Sequence, residues 1–402
     1  MSELITVVEA QRRIVERVRR LDAERVPIER AFGRVLAEPV SSRTDLPPFA
    51  SSAMDGFAVR AADTSDAPVT LTVAGRAAAG SPSGVVLEAG QAVEISTGGV
   101  VPEGADAVVP VELTGDGSEG SVVIRAAATP GAHIRPRAGD VAAGSTLLAP
   151  GTLLSAPQVG ALAAAGVTEV QCAKRPRVGI LVTGSELRRP GDPLGPGEIY
   201  ESNGLMLAGQ LASAGAVPAQ LGVVSDDADD HRNAMEKGLL GFDMLVTSGG
   251  ASVGPHDLVR QVLAALRVEE VFWGVAMKPG KPVAFGVRRD HVAFSLPGNP
   301  VSALVCFEVL VRTAVNVMLG IPSPEPRYAH GTLGAPVRRS VDRETFVRAR
   351  AEHGAEAVVL DPVTGQESHM IAAAAQADAL VLVPRGEGEL PAGSPVRFLS
   401  LS

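Results

Sequence analysis

Val178-Gly-Ile-Leu-Val-Thr183 is an apolar, β-branched run that stops at Gly184 and Ser185. A short run of this kind, closed by a turn signal, predicts a strand buried on both faces. Downstream, Ser202 opens a helix to about Ala214, and Val217 to Val224 is a second strand. Asp229 to Leu240 is a helix, Met244 to Ser248 a third strand, Leu258 to Leu266 a helix and Val268 to Trp273 a fourth strand. Strands alternating with helices of this length predict a parallel, doubly wound α/β domain over residues 174–322. Val283 to Val287 and Val292 to Leu296, joined across Arg288-Arg289-Asp290, read as a hairpin appended to that sheet.

Working outward, the texture changes on both sides. Residues 46–138 carry short β-prone runs (Val69-Thr-Leu-Thr-Val, Ala92-Val-Glu-Ile-Ser, Ala107-Val-Val-Pro-Val, Ser121-Val-Val-Ile-Arg) between Gly, Pro, Ser and Asp, which predicts a small all-β unit. It is inserted into a helical unit formed by residues 1–45 and 139–173. Thr6 and Glu9 have capping-box spacing, and Val7, Ile14, Val18 and Leu21 follow at helical period. Past Pro322, Pro324 and Pro326, residues 323–402 are mostly strands, a second small β domain. The whole is a multidomain α/β protein.

Bulk properties exclude several functions. The 402 residues carry a net charge of −9, which argues against nonspecific nucleic-acid binding because no basic surplus displaces counterions. Cys172 and Cys306 are far apart and in no metal spacing, which suits buried thiols in a reducing compartment. No basic region followed by an apolar one opens the chain. The most apolar stretch, Val301 to Leu319, is interrupted by Glu308 and Arg312 and reads as too short and too charged to span a bilayer. The expectation is a cytoplasmic protein with no membrane partner.

In an open α/β sheet, ligands bind beyond the carboxyl ends of the strands. The loops predicted there are Thr183-Gly184-Ser185-Glu186, Ser225-Asp226-Asp227, Ser248-Gly249-Gly250 with Ser252, Gly254 and Asp257, and Lys278-Pro-Gly-Lys281. Glycines and hydroxyls before a helix can cradle an anion with backbone N–H groups; the alternative is a flexible loop. Lys278 and Lys281 suit oxyanions, or else a solvated surface. If Glu186, Asp226, Asp227 and Asp257 share a site, a hard cation such as Mg²⁺ resolves their repulsion. The alternative is that Asp226, Asp227, Asp229 and Asp230 form an exposed acidic turn. In Pro297-Gly298-Asn299-Pro300, Asn299 is placed as an N-cap with Pro300 at the first helical position, and the same N–H groups offer a second anion site.

Six motifs in fixed order carry a resemblance: S-A-M-D-G-F-A-V-R from Ser52, T-G-x-x-V-P-E-G-A-D-A-V-V from Thr97, R-P-R-V-G-I-L-V-T-G-S-E-L from Arg175, S-G-G-A-S-V-G-x-x-D from Ser248, K-P-G-K-P from Lys278 and L-P-G-N-P-V-S-A from Leu296. Together they resemble the molybdopterin molybdenumtransferase family over nearly the whole chain. The resemblance implies an elongated helical domain, an inserted β domain, a central molybdopterin-binding α/β domain and a C-terminal β-barrel. It implies a homodimer whose active site is shared between subunits. The implied reaction uses adenylylated molybdopterin and molybdate as substrates, assisted by Mg²⁺, and releases AMP.

By motif, Asp55 and Thr97 are the implied essential residues from the partner subunit. Glu186, Asp226 and Asp257 are the acidic groups near metal and phosphates, and Lys278 and Lys281 the oxyanion-binding lysines. Pro297 and Pro300 are the motif prolines. Ala50-Ser51, Phe57, Gly99-Val100 and Ser185 depart from the usual family residues. The rival readings are the related adenylyltransferase, a non-catalytic pterin-binding scaffold and a tungsten-selective relative.

Overall fold

The computed structural model describes residues 4–224, 227–250, 258–354 and 357–401. Thr6, in extended conformation, caps helix α1 (Val7–Arg17) by accepting from the Glu9 amide at 3.1 Å. The Glu9 carboxylate is instead taken by Arg12 and Arg13, 2.7 Å from each. The buried stripe Val7, Ala10, Ile14 and Val18 belongs to the core of the α/β domain. The flanking segments 23–45 and 139–173 contain one α-helix, α2 (Ala156–Ala164), and a single 3-10 turn at Ile28–Arg30, where more helix was expected. The rest is antiparallel pairing: Ala23–Pro27 with Glu169–Ala173, and Val40–Ser41 with Thr146–Leu148. Gly144 and Gly151, both at positive φ, turn the chain between these pieces.

The insertion is a six-stranded sheet of β1 (Gly56–Val59), β2 (Val69–Ala77), β3 (Gln91–Ile95), β4 (Ala107–Pro110), β5 (Thr114–Asp116) and β6 (Ser121–Ile124), in the order β4-β1-β3-β2-β6-β5. Successive residues of β1 and β4 bury on opposite sides. Val59 and Val109 join one cluster, Ala58 and Val108 another. Gly56 is obligatory at the crossing, because a Cβ there would sit 2.0 Å from the Val109 carbonyl oxygen.

The α/β domain comprises β7 (Arg177–Thr183), α3 (Asn203–Ser213), β8 (Val217–Val224), α4 (Ala228–Gly241), β9 (Met244–Ser248), α5 (Leu258–Ala265), β10 (Glu269–Trp273), β11 (Ala284–Arg288) and β12 (His291–Leu296). Strand order is β8-β7-β9-β12-β11-β10. The hairpin is therefore not an appendage. Its second strand, β12, lies parallel beside β9 in the middle of the sheet. Its first, β11, runs antiparallel to both β12 and β10, and β10 closes the edge. Apolar periodicity predicted each strand, but direction and neighbour are set by which face the crossover helices cover. Side chains alternate across β7: Ile180 and Val182 face α3 and the later helices, Leu181 faces α4 and α5.

One continuous helix follows, α6 (Pro300–Cys306), a π turn over Phe307–Val311 and α7 (Arg312–Met318). It is long and apolar enough to cross a bilayer, yet 78% of its apolar window is buried within the fold, as a core helix requires. Burial, rather than the shortness expected from sequence, accounts for it. Its two charges pair: buried Glu308 accepts from Arg312 Nε at 2.6 Å and from Gln210 Nε2 at 2.7 Å. The side chain of Gln11 on α1 donates to Val309 O at 2.9 Å, within the π turn.

The C-terminal strands β13 (Ala329–Leu333), β14 (Glu344–His353), β15 (Val358–Pro362), β16 (Ala379–Val383) and β17 (Pro395–Ser400) close into a five-stranded barrel, β14-β15-β13-β17-β16, with β16 pairing back to β14. Met277–Lys278 adds to β14 in parallel, joining the barrel to the α/β domain.

Ile14, fully buried on α1, tests this docking. Ile14→Ala is expected to cost about 2–5 kcal/mol, seen as a lower denaturation midpoint for the α/β domain with the barrel transition unmoved.

Candidate active site

Three parallel strands, β7, β9 and β12, end side by side, and the loops beyond them enclose a cleft of about 630 Å³. Close approach of the loops is possible because of two glycines. Gly249 (φ +94°) and Gly250 (φ +68°) lie against the end of β7. A Cβ on Gly249 would fall 2.3 Å from Thr183 O, and one on Gly250 2.6 Å from Val259 Cγ2 and 3.1 Å from Thr183 Oγ1. Among the described residues, Thr183 Oγ1 is buried there with no hydrogen-bond partner. A buried hydroxyl left unpaired is costly unless a ligand or water completes it.

Ser248 is fully buried at the end of β9. Its Oγ accepts from Asn203 Nδ2 at 2.8 Å and donates to Pro297 O at 3.3 Å. Asn203 Nδ2 also donates to Gly298 O at 2.7 Å, so one amide ties α3 to the loops after β9 and β12. Although Ser202 occupies the N-cap position, its side chain makes no cap bond. The Glu201 carboxylate accepts from Gly204 N at 2.6 Å instead. Asn299 likewise stands at the N-cap of α6 without a side-chain cap bond. It donates to Ser368 Oγ at 3.0 Å, while Val301 N donates to Ser368 O, which brings His369 of the C-terminal domain into the cleft wall.

The expected N–H cradle is partly consumed. Gly184 N donates to Val224 O and Gly249 N to Leu296 O. Among the described residues, the amides of Gly250, Gly298 and Asn299 have no backbone acceptor. Glu186 is exposed and its carboxylate lies over Gly184 (φ +152°), where a Cβ would come within 2.7–2.9 Å of it. Ser185 is exposed beside it, and Pro300 closes the far wall. Asp226, Ser252, Gly254 and Asp257 lie outside the described residues. Asp227 caps α4, accepting from the amides of Asp229 and Asp230, so its side chain has a local structural task.

Lys278 and Lys281 sit on the loop joining β10 to β11, at the same edge of the sheet but one to two strands beyond β12, roughly 5–10 Å along it. Gly280 between them (φ +105°) packs on Cys306, whose Sγ a Cβ would meet at 2.6 Å. Among the described residues neither ammonium has an ion-pair partner. The chain has only four lysines, so two free ones on one short loop are a concentrated cationic point. Asp55 and Thr97 are brought together, Thr97 N donating to Asp55 Oδ1 at 2.8 Å, on an exposed corner of the β domain; neither lines the cleft of its own chain.

Glu201, Asn203, Tyr200 and His369 are site residues the sequence reading did not single out. The signal for the first three was the polar cluster Tyr200-Glu-Ser-Asn203 just ahead of α3, read there as capping alone. Behind the barrel side of the cleft, Arg348 is almost fully buried and donates to Gly365 O at 2.6 Å. Among the described residues its Nε has no partner, and burial pushes its pKa down. As for a metal, no group of three or more His, Cys, Asp or Glu side chains is gathered among the described residues. Glu186 alone fits a cation that takes its other ligands from water and phosphate, as Mg²⁺ commonly does.

A doubly wound domain with a polar cleft at its carboxyl edge, carrying a β insertion and a C-terminal barrel, defines a multidomain α/β enzyme. Residues 5–166 match the MoeA N-terminal region (domain I and II), 179–316 the probable molybdopterin binding domain and 330–401 the MoeA C-terminal region (domain IV). The chain is 38% identical to molybdopterin molybdenumtransferase 2 of Mycobacterium tuberculosis over 99% of its own length and 100% of that protein. It is 34% identical to the molybdopterin molybdenumtransferase of Bacillus subtilis, covering 98% and 94%. The molybdopterin biosynthesis MoeA protein of Pyrococcus horikoshii superposes over 100% of both chains with a TM-score of 0.82 at 31% identity. The chain belongs to the molybdopterin molybdenumtransferase family and is a transferase of molybdenum cofactor biosynthesis.

Asn203→Ala removes the tie between Ser248 and Gly298. Amide hydrogen exchange is expected to rise at residues 248–250 and 297–299 and to stay unchanged in the barrel strands.

Proposed function

We propose that this enzyme inserts molybdate into adenylylated molybdopterin with Mg²⁺ assistance, releasing AMP. The observation that carries the proposal is the division of labour along one sheet edge. Among the described residues, the cleft lining holds the carboxylates of Glu186 and Glu201, the Thr183 hydroxyl and Asn203, and no lysine or arginine. Such a lining suits the N–H and amino donors of a pterin ring. Phosphate groups suit the neighbouring Lys278 and Lys281. A substrate joining a pterin to a phosphoanhydride needs both, in that order.

Phosphoanhydride cleavage is largely positioning and charge neutralisation. Lys278 and Lys281 stabilise the charge on the departing phosphate, while the Thr183 hydroxyl and the amides of Gly250, Gly298 and Asn299 fix the pterin, on loops that the Ser248–Asn203 pair holds in position. Glu186, together with Asp226 and Asp257, would hold Mg²⁺, which when bound would supply a Lewis acid for the phosphate oxygens. Asp55 and Thr97 complete the site of the partner subunit in a cytoplasmic homodimer; their distance from their own cleft supports this reading.

The test incubates purified protein with adenylylated molybdopterin and Mg²⁺, then adds molybdate without ATP and follows AMP chromatographically. AMP is expected only after molybdate is added, and not in the presence of EDTA. A requirement for ATP would instead assign the adenylyltransferase reaction. Lys281→Ala is expected to lower kcat about 10²–10³-fold. Asp55→Ala should abolish release, and co-expressing the two variants should restore part of it through mixed dimers. No recovery in mixed dimers would place both residues in one subunit's site.

A further inference from the structure

The two carboxylates lining the cleft stand in different surroundings. Glu186 is exposed, whereas Glu201 is only 9% exposed. Glu201 lies just ahead of α3, where its Oε1 accepts from Gly204 N at 2.6 Å and does the capping that the Ser202 side chain does not. Among the described residues, Oε2 accepts from no donor, and the carboxylate has no cation partner. Gly204 leaves room for it, since a Cβ there would lie 3.1 Å from Oε2 and 3.2 Å from Val182 Cγ2. A buried carboxylate with an open oxygen is costly unless a ligand or water donates to it. Val182 and Leu187 line the cleft beside it and offer apolar faces to a flat ring.

We infer that Glu201 is the specificity-determining residue of the cleft, its carboxylate accepting from the N3–H and the 2-amino group of the pterin's pyrimidinone end. The inference rests on the proposed substrate and fixes which end of it enters where. A carboxylate offers about four lone-pair sites on its oxygens, so Oε1 keeps Gly204 N while both oxygens meet the ring. An N–H and an amino group side by side match that pair. A carbonyl in place of the amino group would set oxygen against oxygen. The ring's own acceptors, its 4-oxo group and ring nitrogens, fall to the Thr183 hydroxyl and the amides of Gly250, Gly298 and Asn299. Strand order then sets the direction of the ligand. Glu201 stands at the β7 end of the edge, and Lys278 and Lys281 lie three to four strands further along, roughly 14–19 Å. The pyrimidinone end is held beside α3, the phosphates extend toward the lysines, and Glu186 is left to the cation.

Pterin and lumazine differ at one substituent, the 2-amino group of the first being a carbonyl in the second. Both fluoresce, so the purified full-length protein can be titrated into each and binding followed by anisotropy. Wild-type protein is expected to bind pterin about 10–100-fold more tightly than lumazine. Glu201→Gln keeps an acceptor for Gly204 N but replaces one carboxylate oxygen with an amide donor. It should bind pterin at least tenfold more weakly and lumazine more tightly, because the new NH2 group donates to the lumazine carbonyl. Pterin that fails to bind, or equal affinity of wild-type protein for the two ligands, overturns the assignment. So does a Glu201→Gln variant that weakens both in the same proportion, the result expected of a purely capping residue. None of these readouts involves molybdate or turnover. Molybdate-dependent AMP release without discrimination between the two ligands sinks the role of Glu201 alone, and discrimination without such release sinks the proposed reaction alone.

Discussion

Everything at the functional edge depends on how closely the loop after β9 can approach the end of β7. Gly249 and Gly250 rest on Thr183 at distances that admit no side chain, and both hold backbone angles that favour glycine. That contact brings Ser248 beneath the cleft, where Asn203 ties it to Gly298. Removing the tight approach would loosen the loops after β7 and β9 together, whereas the loop after β12 keeps its own bonds to Ser368.

The remainder of the molecule holds this edge in place from below and beside. Helix α1 and the helix from Pro300 to Met318 fill one face of the sheet, and the barrel is joined to it through Met277–Lys278 and Ser368. The C-terminal domain is therefore part of the cleft wall. The acid-lined cleft and the two lysines of the β10–β11 loop occupy adjacent lengths of one edge, which lets a single extended ligand meet hydrogen-bond acceptors at one end and cations further along.

Much of this was legible in the sequence, for physical reasons that also mark where reading stopped. Val178 to Thr183 and Met244 to Ser248 are apolar on both faces and formed buried strands, and Val217 to Val224 formed the expected strand at the sheet edge, with none of its residues buried. The place of β12 did not follow, because periodicity carries no information on strand direction. Asn203 and Glu201 were hidden behind Ser202, a better capping residue by type whose side chain makes no cap bond. Pairing of Asp55 with Thr97, 42 residues apart in sequence, likewise depends on a backbone contact that no local pattern encodes. Lys278 and Lys281 were placed on the right edge, but their separation from the cleft is set by strand order.

The most direct test of the central claim is a hydrogen–deuterium exchange footprint of the full-length protein with and without bound molybdopterin. The account predicts protection concentrated at residues 183–186, 248–250 and 297–300, three segments distant in sequence responding as one. Protection confined to a single segment, or appearing on other faces of the molecule, would contradict it.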